Sequence, residues 1–173
     1  HAKDRRQRQM CIRDSCIPID PKYLSFKTRQ IGQPVRFVEL AQEINNSMPN
    51  YVISRISELM NRKEKLLKNS KILILGVAYK KDIGDTRESP AIDIIESLLH
   101  KSVEVSFYDP YVDELTVNKE SIFKEQDLEG ISNYDMVIIH TPHTSFHNID
   151  FEKIKSLIFD TTGSFTISKA ERI

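Results

Sequence analysis

Four sets of residues have types and spacing suited to chemistry. Cys16 and Asp20 stand four apart in Cys-Ile-Pro-Ile-Asp-Pro. A thiol acts as thiolate, with its pKa set by its surroundings, and a carboxylate nearby can serve as a base toward water. Taken alone, the pair reads more simply as a small buried side chain and a helix-capping aspartate. The run Gly76-Val-Ala-Tyr-Lys-Lys-Asp-Ile-Gly-Asp-Thr-Arg-Glu-Ser-Pro90 places Lys80, Lys81 and Arg87 beside the start of a predicted helix. Such a loop can hold an anion by side-chain charge, or it can be a solvated loop in which Asp82, Asp85 and Glu88 pair with those cations. Its glycines lie at 76 and 84, so it is not the Gly-x-Gly-x-x-Gly cradle that holds a dinucleotide pyrophosphate on backbone N–H groups. Asp109 closes a predicted strand. It can accept from a ribose hydroxyl or simply form an Asp-Pro turn, and the turn is the simpler reading. His140 and His143 flank Thr141-Pro142. No third ligand accompanies them, which argues against a metal centre and for a polar strand-end loop near a ligand.

These residues need elements to position them. Pro18 and Pro21 stiffen the loop on either side of Asp20, and it leads into a helix near Pro21–Lys27. Apolar residues at threes and fours from Val35, through Phe37, Val38, Leu40, Ile44, Val52, Ile56 and Leu59, predict a helical segment to about Lys68. Asn45, Asn46 and Pro49 suggest one interruption in it. Lys71–Gly76, Val103–Tyr108, Met136–Ile139 and Leu157–Asp160 read as strands, the first a buried run ending in glycine. Pro90–Leu99 reads as a helix with Ser89 as its N-cap and Pro90 at the first position, and Phe151–Lys155 as a short helix. The stretch between Val112 and Asn133 suggests a helix and a weak strand near Ser121–Phe123. Strands alternating with helices predict a doubly wound parallel α/β sheet, preceded by a long helix that seeks a partner helix.

The whole chain sets bounds on function. Its 173 residues suit one domain with an appended segment. With 39% hydrophobic residues the chain can bury one sizeable core, and 25 basic residues against 25 acidic leave no net charge. A general nucleic-acid or anionic-membrane binder carries a basic excess, so neither partner is expected. No apolar run approaches the roughly 20 residues of a membrane span. Cys11 and Cys16 are too close to staple a domain and fit free thiols in a reducing cytoplasm. The opening HAKDRRQRQMCIRDS has almost no apolar pattern. It reads as an adapter-like, non-native segment over 1–15 rather than a basic tail for an anionic partner.

CIPIDPKYL (16–24), FVELAQEINNSMPNYV (37–52), ILGVAYKKDIGDTRESPA (74–91), YDPYV (108–112) and TPHTSF (141–146) fall in the order found in the C-terminal two-thirds of the UDP-sugar 6-dehydrogenases. From Cys16 to about Ser164 the chain closely resembles that family. CIPIDP is nearest the branch acting on UDP-N-acetylglucosamine or UDP-N-acetylmannosamine. The resemblance implies an oxidoreductase that converts the C6 alcohol of a UDP-sugar to a carboxylate with two NAD⁺, and a homodimer formed through the central helix. It implies a cysteine-loop and helix segment over 16–68 and a Rossmann-like UDP-binding domain over 69–173. It makes Cys16 the nucleophile that carries thiohemiacetal and thioester, and Asp20 the residue that positions water. It further implies that Tyr23, Leu24, Tyr79 and Lys80 bind substrate and that Arg87 reaches NAD. The chain departs from the family before Cys16, where Arg13-Asp14-Ser15 replaces a Gly-Gly-His or Gly-Gly-Ser run. No NAD domain is present, so an inactive fragment of a longer enzyme is expected. The rival reading is a non-catalytic nucleotide-binding or dimerisation module, which has no need of Cys16-x-x-x-Asp20. A flavodoxin-like or response-regulator domain is disfavoured by the long leading helix and by the lack of an acidic cluster at the strand ends.

Overall fold

A computed structural model describes residues 20–173. Residues 1–15 and Cys16 lie outside the described residues. The chain divides into two compact units at Met48 and Pro49.

In the first unit, helix α1 covers residues 20–30, extending three residues past the predicted end at Lys27. Thr28 Oγ1 donates to the Leu24 carbonyl at 2.9 Å within it. Helix α2 (Arg36–Arg62) begins here. Arg29 Nε reaches Glu39 Oε1 at 2.7 Å, tying α1 to the start of α2.

The second unit is built on a five-stranded parallel sheet. Its strands are β1 (Lys71–Leu75), β2 (Glu104–Tyr108), β5 (Met136–Ile139), β6 (Leu157–Asp160) and β7 (Glu171–Arg172), in the order β2-β1-β5-β6-β7. β1 is apolar throughout after Lys71 because both its faces are covered. Ile72 and Ile74 join Val52, Ile56 and Met60 of α2 and Ile94, Ile95 and Leu98 of helix α3 (Pro90–His100) in one core cluster. Leu73 and Leu75 join Phe146, Phe151 and Phe165 in a second cluster. Phe146 and Phe151 sit on 3₁₀ turns, Thr144–Asn148 and Phe151–Lys153, and Phe165 on the loop after β6. The doubly wound, Rossmann-like architecture expected from the strand–helix alternation is therefore present.

Three local expectations are corrected. Helix α2 is unbroken through Pro49 and stops at Arg62 rather than near Lys68. A helical proline removes one N–H donor, whereas the buried face from Val52 to Met60 contributes about 1.5–3 kcal/mol per large side chain. Glu64, at φ 56°, then turns the chain out of the helix. Between Val112 and Asn133 there is no α-helix but an antiparallel hairpin, β3 (Glu114–Val117) and β4 (Glu120–Phe123). Its two-residue turn has both Asn118 (φ 52°) and Lys119 (φ 68°) left-handed, the geometry that follows strand twist. The short helix at 151–155 is a single 3₁₀ turn.

Candidate functional site

Strand order reverses at β1. The chain leaves β1 for β2 on one side and later returns to place β5 on the other. The crevice at the carboxyl ends of β1 and β5 is thus the switch point where open α/β sheets bind ligands.

Gly76 opens this site. Its φ is +78°, and a Cβ there would lie 2.1 Å from the Thr141 carbonyl oxygen. No other residue allows the post-β1 and post-β5 loops to approach so closely. Gly84 permits a second close approach, with a Cβ position 2.4 Å from the Tyr111 carbonyl oxygen. Thr141 Oγ1 donates to the Ala78 carbonyl, and Tyr79 N donates to the Asp85 carbonyl at 2.7 Å, closing the loop on itself.

A buried pair, Asp109 and His143, lies beneath the loop. Asp109 Oδ2 accepts from Val77 N at 2.8 Å and Ala78 N at 3.1 Å, and Oδ1 accepts from Tyr111 N at 2.8 Å. His143 Nε2 lies 2.9 Å from Asp109 Oδ2. On the far side of the ring, Nδ1 accepts from Asp82 N at 2.9 Å. That assigns the proton to Nε2, which donates to Asp109. Burial pushes the Asp109 carboxyl up. The His143 hydrogen bond and the Tyr111 and Val77 amides outweigh it and hold the group below its ordinary value. Asp82 has φ 61°. Its carboxylate accepts from Thr144 N at 2.8 Å and from Thr144 Oγ1, so the loop is pinned to the post-β5 turn at two adjoining points.

The sequence-predicted residues fall in two groups. Tyr79, Lys80 and Arg87 come together in the loop at the switch point, with Lys80 Nζ 5.8 Å from the centre of the Tyr79 ring. Arg87 forms a two-pronged pair with Asp85, Nε to Oδ1 at 2.9 Å and Nη2 to Oδ2 at 2.7 Å. This hydrogen bond, above burial, holds the Asp85 carboxyl below its usual range. Part of the solvated-loop reading is therefore real: Asp85 partners Arg87. Ser89 caps α3 by accepting from Ala91 N at 3.4 Å. Asp20, Tyr23 and Leu24 are exposed on α1 in the other unit.

Asp109 takes the structural reading, since its carboxylate oxygens receive donors from within the protein. Both nitrogens of His143 are engaged, one by Asp82 N and the other by Asp109, as fits a polar strand-end loop. Among the described residues no cluster of three or more His, Cys, Asp or Glu side chains could hold a metal, and no helix is long and apolar enough to cross a membrane. His140, at the end of β5, has its pKa pushed down to about 4 by burial. The Asp109–His143 pair itself was missed from sequence. Its one signal was that Asp109 directly follows β2 and His143 lies in the loop after β5, the two strands on either side of β1.

The fold and this loop define a Rossmann-like ligand-binding domain. Residues 73–167 match the model of the UDP-glucose/GDP-mannose dehydrogenase family, UDP binding domain, and the chain belongs to this family. It is 37% identical over 142 residues to the UDP-N-acetyl-D-mannosamine dehydrogenase of Methanococcus aeolicus, covering 82% of this chain and 30% of that one. It is 31% identical over 141 residues to the UDP-N-acetyl-D-glucosamine 6-dehydrogenase of Salmonella typhi, covering 81% and 33%. The structure of a UDP-D-ManNAc dehydrogenase from Pyrococcus horikoshii superposes with a TM-score of 0.76 at 26% identity, covering 91% of this chain and 37% of that one. The chain thus spans about a third of the length of the curated relatives it matches.

Proposed function

We propose that the chain is the UDP-binding, C-terminal part of an NAD-dependent 6-dehydrogenase acting on a UDP-N-acetylhexosamine. The observation that carries this reading is the family match across the sheet, centred on a switch-point loop that presents Tyr79 and Lys80. In this reading Lys80 pairs with the diphosphate by a charge-assisted contact and Tyr79 packs beside it.

The residues present do not form a dinucleotide cradle. The backbone N–H groups of Val77, Ala78, Tyr79 and Asp82 are already given to Asp109, Asp85 and His143. NAD, which when bound would supply the hydride-accepting chemistry, would therefore be held mainly by sequence outside this chain, and Arg87 is the side chain here assigned to reach it. Cys16 would add through its thiolate to the C6 aldehyde, making the tetrahedral carbon from which a second hydride leaves. Asp20 would position the water that hydrolyses the resulting thioester, releasing the carboxylate and the thiol. Tyr23 and Leu24 would complete the substrate side. Without the NAD domain the chain alone is expected to be inactive.

Self-association belongs to the same reading. The predicted stripe over Val35–Leu67 divides in two: Val52, Ile56 and Met60 are spent on the sheet, whereas Phe37, Leu40, Ile44 and Tyr51 remain exposed along α2. Those four are offered to a second copy of the chain, as a homodimer in the cytoplasm.

Calorimetry with UDP tests the assignment. The chain should bind UDP weakly, and Lys80→Ala should weaken binding by about 1.5–3 kcal/mol. Identical UDP binding by both proteins would overturn it.

A further inference from the structure

We propose that His143 is a positioning residue for the nucleotide, acting through the loop that carries Tyr79 and Lys80. The inference rests on the assignment of that loop to UDP. His143 is fully buried, and its ring stands between two parts of the protein that must hold a fixed separation. On one side is Asp109, which also fixes the start of the loop through Val77 N and Ala78 N. On the other is the N–H of Asp82, two residues past Lys80. The loop is thus gripped just before and just after Tyr79 and Lys80, both times through the Asp109–His143 pair.

The ring cannot drift. Phe146 meets it edge-on at 5.3 Å between centroids, and Tyr111 packs at 5.1 Å. One nitrogen must accept and the other donate, a combination an apolar side chain lacks. Asp82 also needs the grip, because its left-handed φ of 61° is unfavourable for a residue with a side chain. Without the Nδ1 acceptor, the segment around Lys80 samples several conformations, and only a fraction of them presents Lys80 and Tyr79 together. Apparent affinity falls by that fraction.

The test uses the 173-residue chain, with UDP as the probe. His143→Leu should raise the UDP dissociation constant about tenfold if the competent fraction falls to about a tenth. His143→Gln, which can both accept and donate, should recover much of that loss. In a Lys80→Ala background the His143→Leu effect should largely vanish, because the ring acts through Lys80. Hydrogen exchange supplies a measurement independent of any variant: in the unaltered chain the Asp82 amide should be protected like those of Val77 and Ala78. An Asp82 amide exchanging at the rate of an open loop overturns the proposal, as does equal UDP affinity in the His143→Leu chain. The same fold loss with and without Lys80 would reduce His143 to a general structural role. Failure of the unaltered chain to bind UDP, with the Asp82 amide still protected, would instead remove the UDP assignment on which the proposal rests.

Discussion

Asp109 shows how one buried carboxylate can organise a site without touching a ligand. Asp109→Ala leaves three backbone N–H groups and the His143 Nε2 proton without their acceptor. Each buried orphan costs about 1–3 kcal/mol, so urea denaturation should show a loss of about 3 kcal/mol or more. Because the folded pKa of Asp109 lies below its unfolded value, its stabilisation is present above the unfolded value near 4 and is lost as pH falls through the folded one. His140 acts at a different pH. Its folded pKa of about 4 lies below the ordinary 6.5, so between these values the unfolded chain binds the extra proton. Stability should therefore drop as pH falls from about 6.5 to 4, by at most about 3 kcal/mol for a shift of that size. Replacing His140 with Gln should flatten that part of the pH profile, as read from urea midpoints. The two effects separate cleanly, because His140→Gln leaves the acid limb below about pH 4 in place.

At the level of elements, the parallel strands and α3 were legible in the sequence because each rests on a local signal. β1 and β5 are continuous apolar runs of strand length, and Ser89-Pro90 marks a helix start. Ser89→Ala should cost about 1 kcal/mol, the usual value of an N-cap, measurable by thermal denaturation. The β3–β4 hairpin was legible only in part: the weak strand expected near Ser121–Phe123 is β4, whereas β3 and the turn gave no signal. Its turn uses Asn118-Lys119, and lysine gives no warning of a left-handed φ; Lys119→Gly should stabilise the hairpin slightly, because relief of about 1–2 kcal/mol of left-handed strain exceeds the roughly 0.4–1 kcal/mol of unfolded-state entropy that glycine adds. The end of α2 was obscured for a related reason, since Glu64 takes a role that glycine usually advertises. Gly76 was visible as a strand-ending glycine, but its purpose, contact with Thr141, depends on a strand pairing more than sixty residues distant. Gly76→Ala should be severely destabilising, because the added carbon meets backbone rather than a movable side chain. Of the candidate site, Lys80, Lys81 and Arg87 stood out by charge and position, and Tyr79 came from the family resemblance alone. The Asp109–His143 pair did not stand out, because a buried pair between loops leaves no periodicity to read.

Over the whole molecule, the exposed positions Phe37, Leu40, Ile44 and Tyr51 recur at helical spacing along α2. Sedimentation at micromolar concentration should show a dimer, and Phe37→Glu combined with Ile44→Glu should give a monomer with an unchanged sheet. A folded but solely monomeric parent chain would count against self-association through this face. The switch-point topology also sets an order of events during synthesis. The residues assigned to nucleotide binding, Tyr79, Lys80 and Arg87, emerge with β1, and Asp109 can hold the start of the loop once β2 has formed, but the grip at Asp82 waits until β5 and His143 have followed and inserted beside β1. Closing so long a connection is slow relative to local hairpin or helix formation. A nascent chain ending before His143 therefore carries every side chain assigned to the nucleotide on this unit but holds their loop at one end only, so full ligand capture arrives late.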